Sequence, residues 1–244
     1  MAFQTLQIRY QTARSLPAPY AYFYTLIARP SGQEMQIDLS ITYPDRDDID
    51  DDEMIAEGYT RDDDFQWAGR LPQTWQRALA DLLTKTRLQP VREDDLGEDD
   101  DFWAIHAETD NRQQVGRPDN PDDWQYLMQE LIQATYEVSG RERPFELTYL
   151  HLGEQPGDEE LDVAASFRER SVAVKRSQNG RSQSQTLPWS ELQRIMTEVY
   201  RVDHDPEQAQ PKRPRRAGHW LNIGGDEWYD IGEQAGLIRL FDRL

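Results

Sequence analysis

Two short stretches of this chain, IDLSITY at residues 37–43 and LDVAASF at 161–167, carry the same order of side-chain types: branched apolar, Asp, branched apolar, two small or apolar residues, hydroxyl, aromatic. Such alternation belongs to a strand with one buried face. The repetition continues along the chain. WQRALADLL (75–83) is answered 117 positions later by LQRIMTEVY (192–200), with Gln-Arg identical and an acidic residue in the same place, Asp81 and Glu198. Trp75, Ala78, Leu79, Leu82 and Leu83 share one helical face, as do Leu192, Ile195, Met196, Val199 and Tyr200, so each segment predicts a helix with one buried stripe. Both helices follow a Leu-Pro pair, and Pro is tolerated in a first turn because its missing N–H has no partner there.

Further on, WAIHAETDNRQQVG (103–116) faces WLNIGGDEWYDIG (220–232), and the leading Trp residues keep the spacing of 117. Both read as hairpins, an alternating strand reversing at Asp-Asn or Gly-Gly-Asp. Upstream, YAYFYTLIA (20–28) faces FELTYLHLG (145–153), and each leads through a Pro/Gly turn into the opening strand. The implied fold class is α+β with an internal duplication. Each unit is a small, mainly antiparallel sheet of about three strands, then helix, hairpin and helix, with helices on one face. The 244 residues and 37% apolar content support two cores, divided as 1–140 and 141–244. A further helix, 121–138, has Asn120 as its N-cap and Trp124, Leu127, Met128, Leu131, Ile132 and Thr135 on one face. It either closes the first unit or opens the second; the pattern favours closing, with residues 3–12 as an N-terminal strand.

Charge narrows the function classes. Lys and Arg number 27 against 46 Asp and Glu, a formal net charge of −19. A field of that sign repels nucleic acid and anionic membranes, so neither is an expected partner, whereas a basic protein is. The N-terminal residues lack the apolar run of a secretion signal, and no stretch is long enough to cross a bilayer; the expected location is cytoplasmic. The negative charge is concentrated in 43–65 and 91–102, and the corresponding stretches of the second half, 168–184 and 211–219, are basic.

No motif supplies chemistry. Without Cys there are no disulfides, thiolate metal sites or cysteine nucleophiles. Asp48, Asp50 and Asp52 alternate like the start of a calcium loop, but Glu53 stands where a turn glycine is needed and Tyr59 where a bidentate Glu is needed, so the run reads as solvated and mobile. His106, His151, His204 and His219 lack metal-ligand spacing. No nucleophile elbow, phosphate loop or dinucleotide fingerprint occurs. No catalytic residue, metal ligand or cofactor is therefore assigned. The one dense basic patch, KRPRR (212–216), reads as a self-contact, with Lys212, Arg213, Arg215 and Arg216 facing the 93–101 run of this chain or of a neighbouring copy. Trp75, Trp103, Trp124 and Trp220 read as core; Trp67, Trp189 and Trp228 flank turns and suit exposed interface anchors.

The stretch 121–231 resembles the YezG-like family of bacterial immunity proteins through YLMQELIQATYEV, the strands from Phe145 to Arg168, LQRIMTEVY and WLNIGGDEWYDI; the linker 203–218 departs from it. The resemblance implies a small cytoplasmic protein that neutralises a toxin, often a nuclease. The expected function is a non-enzymatic acidic binding protein of this kind. Its partner-binding residues are Asp47, Asp48, Asp50, Asp51 and Asp52, then Asp99, Asp100 and Asp101, with Trp67 and Trp228. The alternatives are a ligand-binding protein or enzyme with a cleft between the repeats, and a self-associating structural protein.

Overall fold

The computed structural model describes residues 3–90, 96–110, 112–153, 157–202 and 204–244. The chain divides into two compact units, Met1–Thr135 and Tyr136–Leu244. Among the described residues, the first contains strands β1 (Thr5–Gln11), β2 (Phe23–Ser31), β3 (Glu34–Thr42), β4 (Phe65–Pro72), β5 (Leu88–Gln89), β6 (Phe102–Thr109) and β7 (Arg112–Pro118). Its helices are α1 (Asp51–Ala56), α2 (Gln73–Lys85) and α3 (Pro121–Ser139), whose last turn crosses the boundary. The second contains β8 (Phe145–Leu152), β9 (Glu159–Ser166), β10 (Ser171–Gln178), β11 (Arg181–Leu187), β12 (Gly218–Asn222) and β13 (Tyr229–Asp230), with helices α4 (Ser190–Tyr200) and α5 (Ala235–Phe241).

Each unit is built on one antiparallel sheet, ordered β4-β3-β2-β1-β6-β7-β5 in the first and β11-β10-β9-β8-β12-β13 in the second. Apart from β5, the connectivity is the same in both. A four-strand meander runs outward, a helix carries the chain back, a later strand (β6 or β12) pairs with the first strand of the meander, and a hairpin partner follows; in the first unit the short β5 comes directly after the helix and pairs with β7. The meander is therefore one strand longer than the pattern suggested. IDLSITY lies in β3, whose positional counterpart is β10, whereas LDVAASF begins in β9, the counterpart of β2. The opening match is thus displaced by one strand, while the α2 and α4 match keeps its place. The basic stretch 168–184 does not form a loop like its acidic counterpart 43–65: it is a turn, then β10, a two-residue Asn179-Gly180 turn and the start of β11.

In the first sheet Leu6, Ile8, Tyr10, Leu26, Ile37, Leu39, Trp103 and Ile105 are buried on one face, as alternation requires. α2 contributes Trp75, Leu79 and Leu83 to the core, and α3 contributes Trp124, Met128 and Leu131. Asn120 before α3 ties two elements together: its Oδ1 accepts from Thr86 Oγ1 at 3.0 Å, and Thr86 in turn accepts from Trp124 Nε1 at 2.9 Å. In the second unit Leu147, Tyr149, Val163, Val172 and Leu221 pack with Leu192, Ile195, Val199, Leu240 and Phe241 of α4 and α5. Trp220 points to the opposite face, where it clusters with Leu150 and Trp228. Trp103 pairs with Tyr10 on the apolar face of its own sheet; the spacing of 117 is kept, but the face is not.

Candidate functional site: the acidic end of the first sheet

Strand register brings the 43–65 run and the described part of the 91–102 run, residues 96–102, to one end of the first sheet; residues 91–95 lie outside the described residues. Gln11 lies opposite both Phe23 and Phe102, Phe23 opposite Thr42, and Ile41 opposite Phe65. The connections 12–22, 43–64 and the one entering β6 therefore all emerge together. The first of these links the other two. On one side Ser15 N–H donates to the Glu98 carbonyl at 3.0 Å and Ala13 N–H to Asp101 Oδ1 at 2.9 Å. On the other, Tyr20 Oη–H donates to Glu57 Oε2 at 2.8 Å, and the Pro19 carbonyl accepts from Arg46 at 2.9 Å.

The 43–64 connection is ordered rather than a mobile charge run, and its centre is the cation that composition hides. Arg46 is 4% exposed. Its Nη1 donates to Asp63 Oδ2 at 2.5 Å and to the Thr60 carbonyl at 2.6 Å, and its guanidinium stacks 4.0 Å from the Tyr43 ring centre and 4.9 Å from that of Tyr59. Burial raises the pKa of Asp63, but hydrogen bonds from Thr60 and Arg46 outweigh it and hold the carboxyl below its ordinary value. A charge buried with three hydrogen-bond acceptors and two aromatic faces fixes the loop around it. Asp50 caps α1, accepting from Asp52 N–H at 3.0 Å, and Met54 is buried beneath it. Arg61 donates to Asp51 at 2.6 Å and to the carbonyls of Arg46 and Ile49, and lies 3.6 Å from Asp47.

These bonds leave Asp47, Asp48, Asp50, Asp51 and Asp52 on the surface, with Asp99 and Asp100 exposed on the opposite connection. Asp101 is a structural group: half-buried, it accepts from Tyr10 Oη at 2.8 Å as well as from Ala13. Between the acidic runs stand Tyr10, Tyr22 and Tyr43, with ring centres 5.4 and 5.8 Å apart in sequence, and Tyr20 lies edge-on to Tyr59 at 5.7 Å. Burial, then neighbouring Tyr22, then the Asp101 hydrogen bond raise the Tyr10 phenol pKa, so it remains a donor. Ile55 (64% exposed), Phe23, Leu16 and Tyr20 put apolar surface among the carboxylates. Of the three tryptophans expected as exposed anchors, Trp67 is half-buried on β4, Trp189 is half-buried against the second core and Trp228 is 8% exposed inside the second unit.

The basic patch is held within its own unit. Arg213 forms a two-pronged pair with Glu160 at 2.7 and 3.0 Å, and Arg216 pairs with Asp230 at 2.9 Å while stacking on Trp220. The Arg213 pair draws the Glu160 carboxyl below its ordinary pKa. Lys212 and Arg215 are exposed. The second unit also contains a titratable group that linear spacing concealed: His151 and His219 are cross-strand partners with rings stacked at 4.5 Å, and His219 Nδ1 shares a 2.8 Å hydrogen bond with Tyr149 Oη. Burial first, then His151, depresses the His219 pKa; burial pushes Tyr149 up to about 12. Among the described residues no group of three or more His, Asp or Glu is arranged to hold a metal ion, and no helix is long and apolar enough to cross a membrane.

Fold and surface together define an α+β protein whose best-formed candidate site is an acidic, tyrosine-walled loop surface with apolar points in it. Comparison with family models, curated proteins and solved structures finds no match.

Proposed function

We propose that the acidic end of the first sheet is a docking surface for a basic protein and that the chain acts by binding rather than by catalysis. The observation that carries this reading is the convergence of the 43–65 and 96–102 acidic stretches on one sheet end, with exposed Ile55, Leu16 and Tyr20 among them. Carboxylates in such number steer a cationic partner and set its orientation. Apolar side chains within the charged field supply the desolvated contact on which residence time depends. The ordering of the loop by Arg46 favours this use because a pre-formed surface loses less entropy on binding. Neutralisation of a basic toxin such as a nuclease is the particular form of binding that the resemblance to immunity proteins suggests.

The test is a native capture followed by kinetics with the captured protein. The reading expects a basic partner, an association rate about tenfold or more slower when Asp47, Asp48, Asp51 and Asp52 are replaced by Asn, and faster dissociation for Ile55→Ala. An acidic partner, or rates indifferent to both changes, refutes it. We also infer that the two units descend from one copied module. The shared strand order and the in-phase α2 and α4 stripes support this, and the opposed faces of Trp103 and Trp220 mark where the copies have diverged.

A further inference from the structure

Among the described residues the outer strand of the second sheet, β11, has β10 as its single neighbour, and Arg181 through Thr186 are all exposed. An edge strand presents N–H and C=O groups that lack a ladder partner, and natural sheets usually blunt such edges with Pro, bulges or charges. β11 has little of that protection. Its register with β10 is unbroken from Val172↔Leu187 to Gln178↔Arg181, and of RSQSQTL only the residue at the turn end is charged.

The turn decides which backbone groups face outward. Asn179 (φ 52°) and Gly180 (φ 74°) both have positive φ, the signature of a two-residue type I′ reversal. In that reversal the flanking residues, Gln178 and Arg181, exchange both backbone hydrogen bonds. Alternation along the strand then turns the N–H and C=O of Ser182, Ser184 and Thr186 away from β10 and towards solvent.

We infer that β11 is a self-pairing edge, at which two copies of this chain join antiparallel about a two-fold axis through Ser184. In this register Ser184 meets its own counterpart, Ser182 meets Thr186 and Gln183 meets Gln185. The outward groups of these Ser and Thr residues form about six backbone hydrogen bonds, and no like charges stand opposite each other. Electrostatics points to a second copy at this place. The chain carries a formal charge of −19, yet Ser171 to Ser190 contains no carboxylate and does contain Lys175, Arg176 and Arg181. Two copies meet here without opposed carboxylates, and each locally positive edge lies in the field of a negative partner. The contact is isologous, as a closed two-fold dimer requires. A seven-residue ladder buries little surface, so the dimer is weak and concentration-dependent. This edge is separate from the docking surface proposed above.

Sedimentation velocity on the full chain, from low micromolar to near-millimolar concentration, tests the pairing. The wild-type chain shifts from monomer to dimer across the series. Ser184→Pro removes an N–H that serves the copy and not β10, so it abolishes the shift while leaving the circular dichroism unchanged. Because the chain has no Cys, single substitutions report the register. Ser184→Cys places two thiols on residues about 5.5 Å apart at Cα, within disulfide reach, and cross-links under mild oxidation. Ser182→Cys, which faces Thr186 of the copy, cross-links about tenfold less. A chain that stays monomeric throughout overturns the inference, as do equal cross-linking of the two Cys variants and a dimer that survives Ser184→Pro.

Discussion

Arg46→Ala tests whether the acidic loop is held by its one buried cation. The wild-type guanidinium is 4% exposed, donates to Asp63, Thr60 and Pro19, and lies against two tyrosine rings. The alanine variant leaves the Asp63 carboxylate, 21% exposed, without its cation, and leaves two carbonyls without this donor. Breaking a buried ion pair by removing one partner costs about 3–5 kcal/mol, because the remaining charge stays desolvated. The loop has two routes of relief: it can open locally and hydrate Asp63, or it can lower the stability of the whole first unit. The two routes give different readouts. With a urea slope of about 2 kcal/mol/M for a unit of this size, a loss of about 4 kcal/mol moves the unfolding midpoint down by about 2 M if the loop and sheet unfold together. If the loop opens alone, the midpoint moves little, and amide exchange across residues 46–63 accelerates by about 10²-fold or more.

Arg46→Lys recovers a minority of the loss, since a single ammonium cannot span the same acceptors while stacking flat on Tyr43 and Tyr59. The cycle with Asp63→Ala separates pair energy from packing: a coupling of at least about 1 kcal/mol is expected for groups in direct contact. If Arg46→Ala changes neither the midpoint nor the exchange of this loop, the loop is not organised by Arg46, and the pre-formed docking surface loses its basis.

Three further outcomes follow from other parts of the molecule. The depressed His219 pKa means that the unfolded chain binds more protons than the folded one as pH falls below the ordinary histidine value of about 6.5; stability is therefore full above that value and declines below it, and a melting-temperature series against pH should flatten in His219→Gln. Gly116→Ala would put a Cβ 2.3 Å from the Gln89 carbonyl oxygen, so it should lower stability by about 1–3 kcal/mol through displacement of β5 from β7, measured by urea unfolding. Arg213→Ala removes a two-pronged but half-exposed pair with Glu160, so the cost is about 0.5–1 kcal/mol and shrinks as salt is added.

The helices were legible because their signal is one of phase. Trp75, Leu79 and Leu83, and Leu192, Ile195 and Val199, are buried as their spacing requires, since a period of 3.6 is hard to imitate by any other arrangement. Strands carry a period of two, which every half-buried strand in a meander shares. β2, β3, β9 and β10 each alternate apolar with polar residues, so a match of side-chain types cannot tell one from its neighbour, and the comparison that joined β3 to β9 slipped by one strand. The turn Asn179-Gly180 carried the correction, because Asn-Gly between alternating strands is a strong local hairpin signal. The site was half legible for a similar reason. Charge density identified the aspartates, but a run of carboxylates reads as solvated whether or not it folds. What orders this one is a buried basic residue at position 46, whose acceptors lie well away from it in the chain, Pro19 on one side and the Thr60–Asp63 turn on the other. The cue present in the sequence was the mixture: Arg46, Met54 and Tyr59 are residues that a purely solvated run has no use for, and each is a point at which this loop is anchored.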